Sequence, residues 1–260
     1  MLGYQLLSAY KEASADLRGT LEKIKAMGYD GVEFIGFFGH DPKEVKAMLD
    51  EIGLVGMSVL MPFSALKGNI YKAVSDCKQA GFQYISILLM DDKLLPGGEG
   101  FGQTIRDIMR MGEVVKAAGM QLIYHNHGYE FSEISGQLAL DFIHSAIPED
   151  LLQPELDCYW VKYAGQDPVK FIEKYVGRCD IVHLKDYVGL KEGAAADPEH
   201  PDTPFAFKPV GHGWQDTPST VEAGLKAGTK WFIVEQDASV ENTSLEDAKL
   251  SLEYLRKLGL

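Results

Sequence analysis

The sequence has few cysteines, and they are not arranged as a structural framework. Its 260 residues include only Cys77, Cys158 and Cys179, an odd number without CxxC spacing. This pattern argues against a disulfide scaffold and against a zinc site built from thiolates. We therefore expect a protein of a reducing compartment.

Positive charge and long apolar runs are also scarce. The chain carries 25 Lys and Arg against 38 Asp and Glu, a formal net charge of −13. Nucleic acid binding needs a basic surface, so that class of partner is not expected. No segment reaches the roughly 18 apolar residues of a membrane-spanning helix, and the N-terminus lacks the pattern of a signal peptide. We expect a cytoplasmic protein without membrane contact, and the sequence leaves an oligomer open.

What the sequence does contain is a regular alternation of strands and helices. Eight short apolar segments are each followed by a helical pattern, which predicts a parallel sheet and, at this length, a single (β/α)8 TIM barrel over residues 1–260. An open doubly wound sheet is the alternative, although no glycine-rich phosphate loop follows the first strand. The predicted strands are Met1–Leu7, Gly31–Ile35, Leu54–Leu60, Tyr84–Met90, Met120–Tyr124, Leu152–Asp157, Asp180–Leu184 and Trp231–Glu235.

One connection is much longer than the others. Residues 186–216 follow the seventh strand and are rich in Pro, Gly and aromatic residues. A loop of this length is commonly functional, and its position places it on the face where barrel active sites form. We expect a lid over the active site, with a plain insertion as the alternative.

The last four strands end in polar groups that a buried strand does not need for its own stability. His125 and His127 follow the fifth strand, Asp157 ends the sixth, His183 lies in the seventh, and Glu235 ends the eighth. Carboxylates and imidazoles that meet at one end of a barrel are the ligands of a divalent metal. Taken singly, Asp157 could instead cap a turn, and His183 could be a hydrogen-bonded core residue.

The segments HNHGYEF, ELDCYW, HLKD and VEQD, in this order at successive strand ends, resemble the sugar phosphate isomerase/epimerase family. That family shares the xylose isomerase-like TIM barrel, and the resemblance spans essentially the whole chain. The segment PVGHG also resembles it, although the family more often has a glutamate where this chain has His212.

The resemblance implies metal ligands in the order Glu, Asp, His, Glu. Asp157, His183 and Glu235 match directly, whereas the family glutamate of the fifth strand is replaced by His125. We expect Glu130 to supply the missing carboxylate, with His125 as the alternative first ligand. Such an oxygen-rich set favours Mn²⁺, with Mg²⁺, Co²⁺ or Zn²⁺ as alternatives.

The other candidate residues follow from chemistry near these strand ends. Acid–base roles are expected for Glu130, Glu235, His127 and Lys185, although Lys185 could simply pair with Asp186. Five residues are expected to contact substrate, the two tryptophans by stacking on a sugar face unless they serve only packing: Glu33, His125, Trp160, His212 and Trp214.

These residues predict an enzyme that moves a carbon-bound proton of a sugar or keto-sugar. The metal would stabilise an enediolate, and return of the proton would give isomerisation or epimerisation. The alternative is a lyase that dehydrates an inosose or cleaves a 3-keto-glycoside by β-elimination. Two further hypotheses are a phosphoesterase of the endonuclease IV type and a sugar-binding barrel without catalysis. The phosphoesterase would need more histidine ligands.

Overall fold

The computed structural model describes residues 1–189 and 203–260, and its centre is a closed barrel of eight parallel strands. Each strand pairs with its neighbours in chain order, and β1 pairs with β8 to close the sheet. The strands are β1 (Leu2–Gln5), β2 (Gly31–Ile35), β3 (Val55–Pro62), β4 (Tyr84–Leu88), β5 (Gln121–His125), β6 (Gln153–Asp157), β7 (Ile181–Leu184) and β8 (Trp231–Val234).

Eight main helices connect the strands and cover the outside of the barrel. They are α1 (Leu17–Met27), α2 (Pro42–Ile52), α3 (Ile70–Ala80), α4 (Phe101–Ala117), α5 (Ala139–Ala146), α6 (Pro168–Lys174), α7 (Thr217–Ala227) and α8 (Ser244–Lys257). Short helical segments add Leu6–Ala9, Tyr10–Ala15, Phe63–Gly68, Tyr129–Phe131 and Cys158–Tyr163.

The helix ends follow local sequence rules. Capping boxes begin α2 at Asp41 and α8 at Thr243, and each satisfies backbone N–H groups that lack a partner within the helix. Gly28 ends α1 with a φ of 111° and Gly53 ends α2 with a φ of 73°, a left-handed conformation that glycine adopts without strain. These signals explain why the strand–helix alternation could be predicted.

The predicted TIM barrel is confirmed, and the closed pairing of β1 with β8 rules out the open sheet. All eight predicted strands are present, with ends shifted by only a few residues. Within the described ranges, no helix has the length and apolar character needed to span a bilayer.

The barrel interior is layered. A lower layer is apolar and consists of Met57, Tyr84, Ile123, Ile181, Trp231 and Ile233. Because strand side chains alternate, the residue two positions further along each strand points to the same side. On β5, β7 and β8 those residues are His125, His183 and Glu235, so the polar groups form a layer toward the carboxyl ends of the strands.

Asp186 anchors the two ends of the long connection after β7. Its carboxylate accepts hydrogen bonds from the backbone N–H groups of Tyr187 (2.8 Å), Gly211 (2.9 Å), Gly213 (3.0 Å) and Gln215 (3.0 Å). A short antiparallel pair, Asp186–Val188 with Ala206–Lys208, adds to this anchor. Residues 190–202 of the predicted lid lie outside the described residues.

Candidate metal centre and active site

Four side chains from the last four strands converge at the carboxyl end of the barrel. His125, Asp157, His183 and Glu235 each offer a ligand atom, and these atoms all lie within 4.8 Å of one another. All four are buried, with at most 3% of their surface exposed. We call these residues the four-residue cluster. Neighbouring strands hold it in register, because Asp157 on β6 pairs with His183 on β7.

Glu130 lies outside the four-residue cluster. Its carboxylate accepts hydrogen bonds from the Tyr124 hydroxyl at 2.7 Å and the His127 backbone N–H at 2.9 Å, within the turn that follows β5. Glu130, expected to supply the first ligand, is therefore not one of the four side chains that converge, whereas the alternative, His125, is one of them. The reason is register: His125 ends β5 facing inward, whereas the chain turns away before it reaches Glu130.

Lys185 fills the space beside the cluster as a buried cation. Its Nζ lies 3.1 Å from Asp157 Oδ2, 3.2 Å from Glu235 Oε2 and 2.8 Å from Asp237 Oδ1. Burial alone would lower the pKa of Lys185, but these three carboxylates raise it well above its usual value. Lys185 pairs with these three groups, whereas the carboxylate of Asp186 binds backbone N–H groups.

Asp157 has two functions at once. Its Oδ1 accepts hydrogen bonds from the backbone N–H groups of Tyr159 at 2.8 Å and Trp160 at 3.3 Å, which caps the helix Cys158–Tyr163. Its Oδ2 faces Lys185 and makes no hydrogen bond of good geometry within the described structure. The capping role thus leaves one oxygen directed at the cluster.

Two further buried glutamates lie close to His183, and of these sequence reasoning singled out Glu33 but missed Glu155 as a site residue. Glu33 on β2 and Glu155 on β6 are both fully buried, and together with His183 they form a second group with metal-ligand spacing. Glu33 Oε2 lies 2.9 Å from His183 Nε2. Burial raises the pKa of Glu33 to about 7, helped by the charge of Glu155. Glu33, expected to contact substrate, instead lies beneath His183 without solvent exposure.

Glu155 could have been found from its spacing. It precedes Asp157 by two residues on one strand, so both side chains point into the barrel. Its carboxylate accepts a hydrogen bond from Ser86 Oγ and lies 3.3 Å from His125 Nδ1. Burial by itself would raise the pKa of Glu155, but nearby His183 and His125 lower it below its usual value.

His127 lies beside the cluster, with its ring centroid 5.1 Å from that of His125 and 5.4 Å from that of Trp160. Burial, with the charges of His125 and Lys185, lowers the pKa of His127 to about 2, so the imidazole is neutral. Its Nδ1 lies 3.1 Å from the Tyr129 hydroxyl, and that hydroxyl donates to the Leu89 carbonyl.

The three remaining predicted substrate contacts differ in position. Trp160 lies at the site, with its ring 5.8 Å from Lys185 Nζ. Trp214 packs instead on Tyr187, with 6.2 Å between ring centroids. His212 is exposed in the anchored end of the long connection, and its backbone N–H donates to the Pro209 carbonyl. Among the described contacts of these three residues, that of Trp160 lies at the cluster.

The buried residues fit a divalent cation. Four fully or nearly fully buried carboxylates, Glu33, Glu155, Asp157 and Glu235, surround a single lysine and two histidines. Burying that many acidic groups is costly without further positive charge. Two imidazoles and two carboxylates are donors that bind transition metals such as zinc, cobalt and manganese.

Comparison with known proteins gives the same family as the fold. The model of the xylose isomerase-like TIM barrel family matches residues 21–258, and the chain belongs to this family. A sugar phosphate isomerase/epimerase from Parabacteroides distasonis superposes with a TM-score of 0.79 at 21% identity, covering 98% of this chain and 93% of the other. The IOLI protein with a bound zinc atom superposes with a TM-score of 0.76 at 12% identity, covering 99% and 97%.

The curated relatives are inosose dehydratases. That of Clostridium botulinum is 29% identical over 101 residues, which span 38% of this chain and only 32% of the relative. That of Lacticaseibacillus casei is 22% identical over 247 residues, covering 84% of this chain and 81% of the relative. The first of these matches thus reaches only about a third of the relative's length.

Proposed function

We propose that this protein is a metal-dependent enzyme that removes a proton from the carbon beside the carbonyl of a sugar or keto-sugar and returns it to the substrate. The product would be an isomer or an epimer. The observation that carries this proposal is the four-residue cluster, in which two imidazoles and two carboxylates meet beside Lys185 and His127. The name of the Parabacteroides structure supports the same chemistry.

The metal would be held by His125, Asp157, His183 and Glu235. When bound, it supplies Lewis-acid stabilisation of negative charge on the substrate oxygens. The expected oxygen-rich set included Glu130 and one histidine, whereas the cluster offers two histidines. This change strengthens Zn²⁺ and Co²⁺ as candidates beside Mn²⁺, because imidazole suits the former and carboxylates the latter.

His127 is the proposed base. The Tyr129 hydroxyl donates its proton to the Leu89 carbonyl, so its oxygen accepts from His127 Nδ1–H. This arrangement assigns the proton to Nδ1 and leaves Nε2 with a lone pair. A neutral imidazole with one nitrogen held in place has a lone pair that can take a proton from carbon, although the low pKa of His127 makes it a weak base in the metal-free protein.

Lys185 and Glu235 are the proposed partners of His127. Lys185 stays protonated because three carboxylates surround it, so it can donate a hydrogen bond to a substrate oxygen. Burial would raise the pKa of Glu235, but Lys185 and His183 lower it well below its usual value, so Glu235 is an acceptor. The Trp160 ring, close to Lys185, provides an apolar surface for a sugar face.

Dehydration by β-elimination is the second candidate, and one observation favours it. Isomerisation was expected to use the two acid–base glutamates Glu130 and Glu235, but only Glu235 lies in the cluster. Elimination needs a base for the α-proton and a proton for the departing hydroxyl. We assign both transfers to His127, which takes the α-proton and returns it to the leaving oxygen, while Lys185 donates a hydrogen bond to that oxygen. The inosose dehydratase relatives point to inososes as substrates of this type.

The test is reaction in D₂O with protein loaded with Zn²⁺, Co²⁺ or Mn²⁺ and a panel of keto-sugars and inososes. Isomerisation or epimerisation gives a product of unchanged composition that carries carbon-bound deuterium. Elimination gives an unsaturated ketone lighter by one water. The matched control is Lys226→Met, which alters only an exposed pair with Glu222, while His183→Ala should abolish turnover. Absence of both exchange and turnover with every metal would contradict the proposal.

Two further points remain predictions. We propose a reducing compartment such as the cytoplasm, because the sequence has three cysteines without the spacing of a disulfide framework. We also propose that the part of the long connection anchored by Asp186 belongs to a cover over the site, because Phe207 within it lies 5.9 Å from Lys185 Nζ.

A further inference from the structure

Two fully buried carboxylates lie one layer below the four-residue cluster, each against one of its histidines. Glu33 lies against Nε2 of His183, and Glu155 lies against Nδ1 of His125. In each ring the other nitrogen is the one directed at a carboxylate of the cluster. We propose that Glu33 and Glu155 are positioning residues that orient the two histidines and fix which nitrogen of each binds a single divalent metal. This inference rests on the metal site of the proposed function.

The geometry at His183 is the clearer of the two. Nε2 lies 2.9 Å from Glu33 Oε2, and Nδ1 lies 2.9 Å from Glu235 Oε2. Nδ1 is the nitrogen on the side of the cluster, so a metal there would take its lone pair and leave the ring proton on Nε2, where Glu33 accepts it. A carboxylate–histidine pair of this kind fixes ring orientation and makes the imidazole a stronger metal ligand.

His125 repeats the arrangement with its nitrogens exchanged. Nδ1 lies 3.3 Å from Glu155 Oε2, and Nε2 lies 3.9 Å from Asp157 Oδ2. Glu155 is itself held by the hydroxyl of Ser86. One histidine therefore presents Nδ1 to the cluster and the other presents Nε2, with Glu33 nearest to His183 and Glu155 nearest to His125.

Burying these two carboxylates lowers the stability of the fold unless each has a positively charged partner. Both are fully shielded from solvent, and Glu33 Oε1 and Glu155 Oε1 make no hydrogen bond of good geometry with any part of the chain that the structure describes. A fully buried carboxylate is rarely retained without a charged partner. A metal bound to the other nitrogen of each imidazole would make that ring the positively polarised partner of its glutamate.

The alternative hypothesis is that the same residues bind a second metal. Glu33, Glu155 and His183 also have ligand spacing. However, His183 belongs to both groups, and its Nε2 is already shared by the two glutamates at 2.9 and 3.5 Å. The two uses differ in stoichiometry, one metal per chain against two.

The experiment is isothermal titration of Zn²⁺ and Mn²⁺ into EDTA-treated, desalted protein, in wild type and in Glu33→Gln and Glu155→Gln. We expect one metal per chain and a Kd raised about 10- to 100-fold in each variant. The matched control is Glu130→Gln, which removes another fully buried glutamate that faces Tyr124 and not the cluster. Its Kd should equal that of wild type. The visible spectrum of the Co²⁺ form, recorded alongside, should change in the two variants only.

Several outcomes overturn the proposal. Wild-type affinity and an unchanged Co²⁺ spectrum in both glutamine variants would show that Glu33 and Glu155 do not act on the metal, and two metals per chain would replace positioning by direct ligation. Because Glu33 is nearest to His183 and Glu155 to His125, a variant that fails to fold leaves the other variant to decide. Failure of wild type to bind any metal would instead refute the proposed function itself.

Discussion

Replacing Lys185 by methionine measures how much this buried cation stabilises the protein through the carboxylates around it. The ammonium group lies within 3.2 Å of carboxylate oxygens of Asp157, Glu235 and Asp237. Methionine keeps much of the side-chain volume but leaves these carboxylates without their cation. Breaking a buried ion pair from one side costs about 3–5 kcal/mol. For a domain of this size each kcal/mol lowers Tm by about 2–4 °C, so the metal-free variant should melt at least about 6 °C below wild type.

The assay is thermal unfolding followed by circular dichroism in EDTA, with Lys226→Met as the matched control. Lys226 pairs with Glu222 at 2.6 Å, but both side chains are exposed to solvent that screens the pair, so its replacement should leave Tm nearly unchanged. Saturating Zn²⁺ should raise the Tm of Lys185→Met more than that of wild type, because the metal neutralises the same carboxylates. Equal melting of the two lysine variants in EDTA would refute this account of the buried charge.

Three further predictions concern neighbouring residues. Burial raises the pKa of Glu130 from 4.5 to about 7. The resulting stability, roughly 3 kcal/mol, is fully present below the unfolded pKa and is lost as pH rises through 7. Glu130→Gln should therefore flatten the fall in Tm between pH 5 and 8, and an unchanged slope would contradict the shift. Tyr129→Phe should lower kcat about tenfold with little change in Tm, because His127 loses the acceptor that fixes its tautomer; full activity would exclude this role. Asp186→Ala should lower the free energy of unfolding by about 3 kcal/mol or more, measured by urea denaturation, since four backbone N–H groups lose their acceptor, and a loss below about 1 kcal/mol would contradict the anchor.

The fold was predictable because its signals are local. Apolar strands alternate with amphipathic helices, and several of these helices end at a left-handed glycine such as Gly53 or Gly81. Asp157, His183 and Glu235 were predictable for a related reason. Each lies at the carboxyl end of an inner strand, and barrel closure brings those ends together.

Three other features of the site depend on three-dimensional geometry that residue spacing does not reveal. Whether His125 or Glu130 joins the cluster depends on where β5 ends and on the direction of the turn after it. The partner of Glu33 is His183, 150 positions away in the sequence, and only the register around the closed barrel makes that contact. His212 lies in a segment whose path depends on the Asp186 anchor, so its motif alone did not place it at the site.

The most direct test of the central claim is a crystal structure of protein grown with Zn²⁺ or Mn²⁺, with anomalous scattering used to locate the metal. We predict one anomalous peak per chain, at about 2.0–2.3 Å from ligand atoms of His125, Asp157, His183 and Glu235. A peak coordinated by Glu130, or no peak within reach of these four side chains, would contradict the account.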